Sequence, residues 1–191
     1  MRWAKVLQTS NKTYSESKSK SSAPLHLYII VFVWLAFTLV AAAYFITDRL
    51  VPFDPNQKLN NMSQYALVNK IKSDFELPAD LSNTLVNFVS ENCRCNQTSS
   101  THLSDVKMTA ERENMSVINV VIPDGFSGVI PSTPAVLALD HNSELIYFGP
   151  YSEGLSCGSG EGIIDLVMSN YKKGFNAKLI MTTTEGCYCN I

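Results

Sequence analysis

The residues with the clearest chemical potential are two cysteines one residue apart, Cys93-Arg94-Cys95. They follow an apolar stretch, Leu85-Val86-Asn87-Phe88-Val89, that reads as the end of a strand, and they precede a segment, 96–113, that reads as a helix. A strand that feeds the start of a helix delivers both thiols to the helix's positive end. That end, with Arg94 beside it, favours the thiolate, which is the nucleophilic form. About forty residues on, Thr133-Pro134 opens a second apolar stretch, Ala135-Val136-Leu137-Ala138-Leu139. A proline there lets another backbone segment come beside the thiols without presenting an N–H. The chemistry this suits is thiol–disulfide exchange, in which Cys93 attacks and Cys95 resolves the mixed disulfide. A bridge across a single residue closes a very small ring, so a Cys93–Cys95 disulfide is expected to be strained and easily reduced. The other reading of the same residues is an inert bridge from each of them to Cys187 or Cys189.

The chain has five cysteines, so at least one is free or paired with another chain. Cys157, Cys187 and Cys189 are accessory candidates, for redox work or for disulfides. If the segments that carry them reach the Cys93 pair, the clustered thiols could form a disulfide relay or a thiolate metal site. One-residue spacing fits zinc poorly, and no metal or other cofactor is expected. One or two stabilising disulfides in a small exported domain is the plainer alternative for the tail pair. His26, His102 and His141 form no catalytic pattern, and each is expected at a surface or an interface. Gly158-Ser159-Gly160-Glu161-Gly162 lacks the Gly-Lys-Ser/Thr ending of a phosphate loop, and Glu161 would repel phosphate, so it reads as a turn.

The elements that must position these residues follow from pattern. Ser63 can cap a helix over Gln64–Phe75 in which Leu67, Ile71 and Phe75 share a face, and Pro78 closes it. Thr84–Val89 is a strand. In the helix over 96–113, Leu103, Val106 and Ala110 form one stripe. Val117–Ile122 is β-branched and apolar and reads as a buried strand. Ala135–Leu139 and Leu145–Phe148 flank a turn at Asp140-His141-Asn142-Ser143. Gly162–Lys173 is the last helix, with Gly174 where its C-cap belongs, and Lys178–Thr184 could add a strand. Strand–helix–strand followed by a hairpin and a helix implies an α/β domain with a mixed sheet covered on both faces.

Ahead of this domain, residues 1–24 carry a net charge of +4. Leu25–Ile46 follows as 22 residues without a formal charge. As a helix this run would be roughly 33 Å long, enough to cross a bilayer core. It exceeds the apolar core of a cleaved signal peptide. The positive flank places residues 1–24 in the cytoplasm and the rest outside, where disulfides persist. Residues 47–61, with Pro52, Pro55 and several Asn, read as a linker, and 62–191 as the folded domain with its Cys-rich end. The remainder beyond residue 24 carries −6 in total, so no basic face for nucleic acid is left.

This order of elements, with a cysteine pair after the first strand and Ser132-Thr133-Pro134 before the third, resembles the thioredoxin-like superfamily over roughly residues 80–175. More narrowly, Cys93-Arg94-Cys95-Asn96, Tyr147-Phe148-Gly149-Pro150-Tyr151-Ser152, Cys157-Gly158-Ser159-Gly160 and Gly186-Cys187-Tyr188-Cys189 look like a bacterial family of membrane-anchored thioredoxin-like proteins of unknown function. Two features depart from the superfamily pattern: a single residue stands between the cysteines, and Ser90-Glu91-Asn92 replaces the usual aromatic before them. The resemblance implies a cis bond at Thr133–Pro134 and a substrate-docking edge there. It also implies a single-pass protein of the bacterial inner membrane whose periplasmic domain exchanges disulfides with thiols or disulfides of exported proteins. The alternatives are a non-catalytic binding or assembly module with structural disulfides, and, third, a thiolate metal carrier.

Overall fold

The computed structural model describes residues 24–47, 50–154 and 162–191. The first element, α1 (Leu25–Thr47), is a helix long and apolar enough to cross a membrane. Its side chains, among them Phe32, Trp34, Phe37 and Phe45, find no protein core and are exposed. An all-round apolar helix without internal packing needs lipid, or another apolar partner, in place of water.

The folded domain contains β1 (Val51–Pro52), α2 (Gln64–Asp74), β2 (Thr84–Ser90), α3 (Cys95–Arg112), β3 (Ser116–Ile122), β4 (Ser132–Thr133) and β5 (Ala135–Leu139). It continues with β6 (Leu145–Pro150), α4 (Ile163–Lys172), β7 (Leu179–Ile180), β8 (Glu185–Gly186) and β9 (Cys189–Asn190). The main sheet has five strands in the order β3-β2-β5-β6-β7. β2 runs parallel to β3 and antiparallel to β5, and β6 is antiparallel to β5 and parallel to β7. This is the mixed α/β sheet the pattern implies.

Alternation along the strands divides the core in two. Val86, Phe88, Leu137 and Phe148 point to the face covered by Leu67 and Ile71 of α2. Leu85, Val136, Ala138 and Ile146 point to the other, against Val106 and Ala110 of α3 and Ile164 and Val167 of α4. α2 starts where Ser63 accepts a hydrogen bond from the Ala66 N–H (3.2 Å), as its sequence position demands. The β5–β6 turn is built on Asp140, whose Oδ1 accepts from the N–H groups of Asn142 (2.8 Å) and Glu144 (2.9 Å).

Three expectations are corrected. β3 is an edge strand paired only with β2, so Val121 is 55% exposed instead of buried. Of the strand expected over 178–184, only Leu179–Ile180 joins the main sheet; the chain then turns away to form β8. Residues expected as a linker pack onto the domain: Phe53 is fully buried and Leu59 nearly so. Asp54 holds that turn by accepting from the N–H groups of Lys58 and Leu59, both at 2.8 Å.

Candidate functional site

The site is assembled from three segments: the β2–α3 junction, β4, and the C-terminal residues. β2 is an interior strand, buried from Thr84 to Phe88 and half-buried at Val89 and Ser90, and its carboxyl end is held by pairing with β3. The chain turns at once, with the Cys93 N–H reaching the Ser90 carbonyl (3.4 Å) and the Asn96 N–H reaching the Cys93 carbonyl (3.2 Å). α3 then begins at Cys95, and Arg94 at its N-cap makes no side-chain capping hydrogen bond. Both thiol positions therefore sit at the helix's positive end, as expected from sequence. Arg94 between them is exposed.

Cys93 and Cys95 are not bonded to each other. Cys93 is bridged to Cys189 and Cys95 to Cys187, each with 5.8 Å between Cα atoms. The tail delivers both partners because its alternation matches the pair: Cys187 and Cys189 flank Tyr188, which is buried. The Tyr188 hydroxyl donates to the Ser152 carbonyl at 2.7 Å, and its ring meets that of Phe53 edge-on at 5.4 Å. A Cβ on Gly186 would lie 2.6 Å from the Tyr188 ring, so the residue before Cys187 must be glycine for this anchor to seat. Bridging to the tail gives each cysteine normal Cα spacing, which a bridge across Arg94 would have to reach inside a very small ring.

The Thr133–Pro134 bond is cis, as expected from the resemblance. Thr133 and Ser132 are fully buried, and β4 pairs antiparallel with β9 so that Thr133 faces Cys189 and Ser132 faces Asn190. The Thr133 carbonyl oxygen lies 3.8 Å from Cys93 Sγ. The Thr133 hydroxyl is hydrogen-bonded to that of Ser90, and Ser132 Oγ lies 2.8 Å from Asn190 Oδ1. The edge that sequence reasoning reserves for a substrate is thus occupied by the chain's own last strand. Cys157 falls outside the described residues, so its expected approach to the pair lies there too.

Cys93 and Cys95 are each 7% exposed, while Cys187 and Cys189 are half-buried. A cleft of about 180 Å³ opens on the Cys93–Cys189 bridge, lined also by Ser90, Asn92, Asp124, Gly125 and Ile191.

His102 corrects the surface expectation: it is 1% exposed, and its Nε2 lies 2.6 Å from Asp165 Oδ2. Asp165 also accepts from the Gly162 N–H (2.8 Å), so one carboxylate caps α4 and binds the imidazole of α3. The His102 ring stacks edge-on with Tyr151 at 5.8 Å. No motif marks this pair, because its partners are 63 residues apart. His141 and His26 are exposed, as expected.

Residues 62–191 match the family model described as a domain of unknown function, DUF6436. No curated protein and no solved structure matches the chain.

Proposed function

The chain belongs to the DUF6436 family, and we propose that it is a membrane-anchored thiol–disulfide exchange protein working through the Cys93–Cys189 bridge. The single observation that carries this reading is the bridge itself. It joins a sulfur at a helix N-terminus to a half-buried sulfur on a strand, and it opens on a cleft. Support for a thioredoxin-like fold comes from the parallel β2–α3–β3 unit, the antiparallel β5 and β6, and the cis Thr133–Pro134 bond beside Cys93.

A partner thiolate attacks Sγ of Cys93, the S–S bond breaks, and Cys189 departs as a thiolate. A second partner thiol, deprotonated, then attacks the partner's sulfur in the mixed disulfide, and Cys93 departs as a thiolate stabilised by the positive end of α3. The partner leaves oxidised, and Cys93 and Cys189 remain as thiols. In the reverse direction Cys93 attacks a partner disulfide and Cys189 resolves it. Cys189, not Cys95, is therefore the resolving group in this reading, and Thr133 and Pro134 form the edge along which the partner lies once residues 189–190 give way.

The compartment follows from the same chemistry. The +4 segment ahead of α1 argues for residues beyond the helix lying outside the cytoplasm. Two disulfides belong in an oxidising space. For a bacterial inner-membrane protein that space is the periplasm, and the partners are exported proteins with thiols or disulfides.

A second reading has its own support: the buried Tyr188 anchor and the low exposure of Cys93 and Cys95 suit a permanent staple in a binding or assembly module. Redox titration against glutathione or dithiothreitol, with alkylation and peptide mapping, separates the two. Exchange predicts that Cys93–Cys189 titrates between about −120 and −270 mV and that Cys189→Ser accumulates a mixed disulfide on Cys93. Two bridges that both resist reduction to below about −300 mV would establish the staple instead.

A further inference from the structure

The four tail-bridged cysteines do more than form two separate pairs. The Sγ atoms of Cys93, Cys95 and Cys189 all lie within 4.8 Å of one another. The fourth, Cys187, is bonded to Cys95. Four sulfurs therefore meet in one place, brought by a helix start and a terminal strand whose backbones are fixed independently: α3 by the β3-paired end of β2, β9 by its pairing with β4 and by Tyr188.

We propose that the reduced protein binds one thiophilic d¹⁰ cation, of the Zn²⁺ class, on the thiolates of Cys93, Cys95, Cys187 and Cys189. A tetrahedral zinc with Zn–S bonds of about 2.3 Å needs sulfurs about 3.8 Å apart. Three of the four lie within 4.8 Å of one another, and Cys93 and Cys189 need only separate from their bond to reach that spacing, so opening the S–S bonds asks for side-chain rotation, not for refolding. Four sulfur ligands in a tetrahedron are the donor set that selects zinc among common divalent ions. The usual two-to-four-residue spacing of zinc cysteines describes sites in which one turn supplies both ligands. Here each Cys-X-Cys supplies its two sulfurs from a different setting, one at a helix start and one along a strand. The positive end of α3 and exposed Arg94 offset part of the excess negative charge of four thiolates around a divalent ion.

Reduction comes first. A phosphine such as tris(2-carboxyethyl)phosphine opens each disulfide to two thiols and is itself oxidised to the phosphine oxide, with water supplying the oxygen and both protons. The cation then displaces the thiol protons, so binding releases acid and strengthens as pH rises. The site does not depend on exchange activity, because the bridges are opened chemically before metal is added.

The test uses the full chain in detergent micelles, reduced with the phosphine under inert gas and titrated with Co²⁺, then with Zn²⁺. The expected result is one Co²⁺ per chain with the intense visible bands and sulfur-to-cobalt charge transfer of a tetrahedral thiolate site, displaced by Zn²⁺. Alkylation of the zinc-loaded protein should label Cys157 and spare the other four. Cys189→Ser should weaken Co²⁺ by at least about tenfold, as even loss of supporting residues around a metal costs 10–100-fold, whereas Cys157→Ser should leave it unchanged. Circular dichroism of each reduced variant separates loss of a ligand from loss of fold. Absence of tetrahedral bands in folded reduced protein overturns the proposal. So does protection that requires Cys157, or uptake by the oxidised protein equal to that by the reduced one. If the metal binds but the bridges fail to exchange with partner thiols, the exchange reading falls and the metal site stands; the opposite pair of results leaves exchange alone.

Discussion

At the scale of single residues, the cysteine pair and Pro134 were legible because each is a local signal: a strand end, a helix start, an X-Pro at a strand head. Their partners were not, since nothing in residues 85–112 specifies which distant sulfur arrives. Buried polar residues were less legible still. Asn87 sits in the middle of β2, 1% exposed, where its apolar neighbours hide its purpose. Its Nδ2 donates to Asn119 Oδ1 (2.9 Å), and its Oδ1 accepts from the buried Tyr151 hydroxyl. We expect Asn87→Leu to cost about 1–3 kcal/mol in urea unfolding, because it strands that hydroxyl. In Tyr151→Phe, where the hydroxyl is gone, the same change should cost less, and a double-mutant cycle reads the difference. Burial also holds the Tyr151 and Tyr147 phenols well above the ordinary tyrosine range. The unfolded chain releases those protons first, so stability falls as pH climbs past the ordinary phenol value. Ultraviolet titration should show two tyrosines that ionise only on unfolding; if every tyrosine ionises in the folded protein, the burial assignment fails.

Among elements, the helices and central strands followed from periodicity, with boundaries shifted by a residue or two. The edge character of β3 was not readable, because a β-branched apolar run looks the same on an edge as in the middle until its neighbours are known. Nor was the pairing of β1 with β8 or of β4 with β9, which are short and depend on segments far apart in the chain. The two bridges are nested, and this sets their energetics. Cys93–Cys189 and Cys95–Cys187 close loops spanning 96 and 92 residues. Either one alone supplies about 5 kcal/mol of loop-closure entropy, but the second closes only the short ring of residues 93–95 and 187–189, worth about 2 kcal/mol. Removing either bridge by a paired Cys→Ala change should therefore cost about 2 kcal/mol, and removing both several times more. A double removal that costs only the sum of the two single removals in chemical denaturation would refute the nested picture.

For the whole molecule, the split between an apolar helix and a folded α/β domain was plain from composition. The engagement of residues 50–61 with the domain was not, since Pro and Asn suggested a linker while Phe53 and Leu59 were the residues that mattered. If the positive segment stays in the cytoplasm, a reporter that works only outside it should be active when fused after Ile191 and silent when fused after Ser22. The reverse pattern would place the cysteines in a reducing space and remove the basis for both bridges. One feature of the domain reaches beyond a single copy. β9 completes β4 within its own chain, and its Cys189 is the one the neighbouring Cys93 holds. Reduction removes the covalent tie and leaves only the short β4–β9 pairing and the Tyr188 anchor to hold a segment that fits the same edge of another copy, which is the starting condition for domain swapping. Reoxidised at low concentration, the protein should return to monomer; reoxidised when crowded in a bilayer, it should yield dimers in which each chain's Cys189 is tied to the other's Cys93.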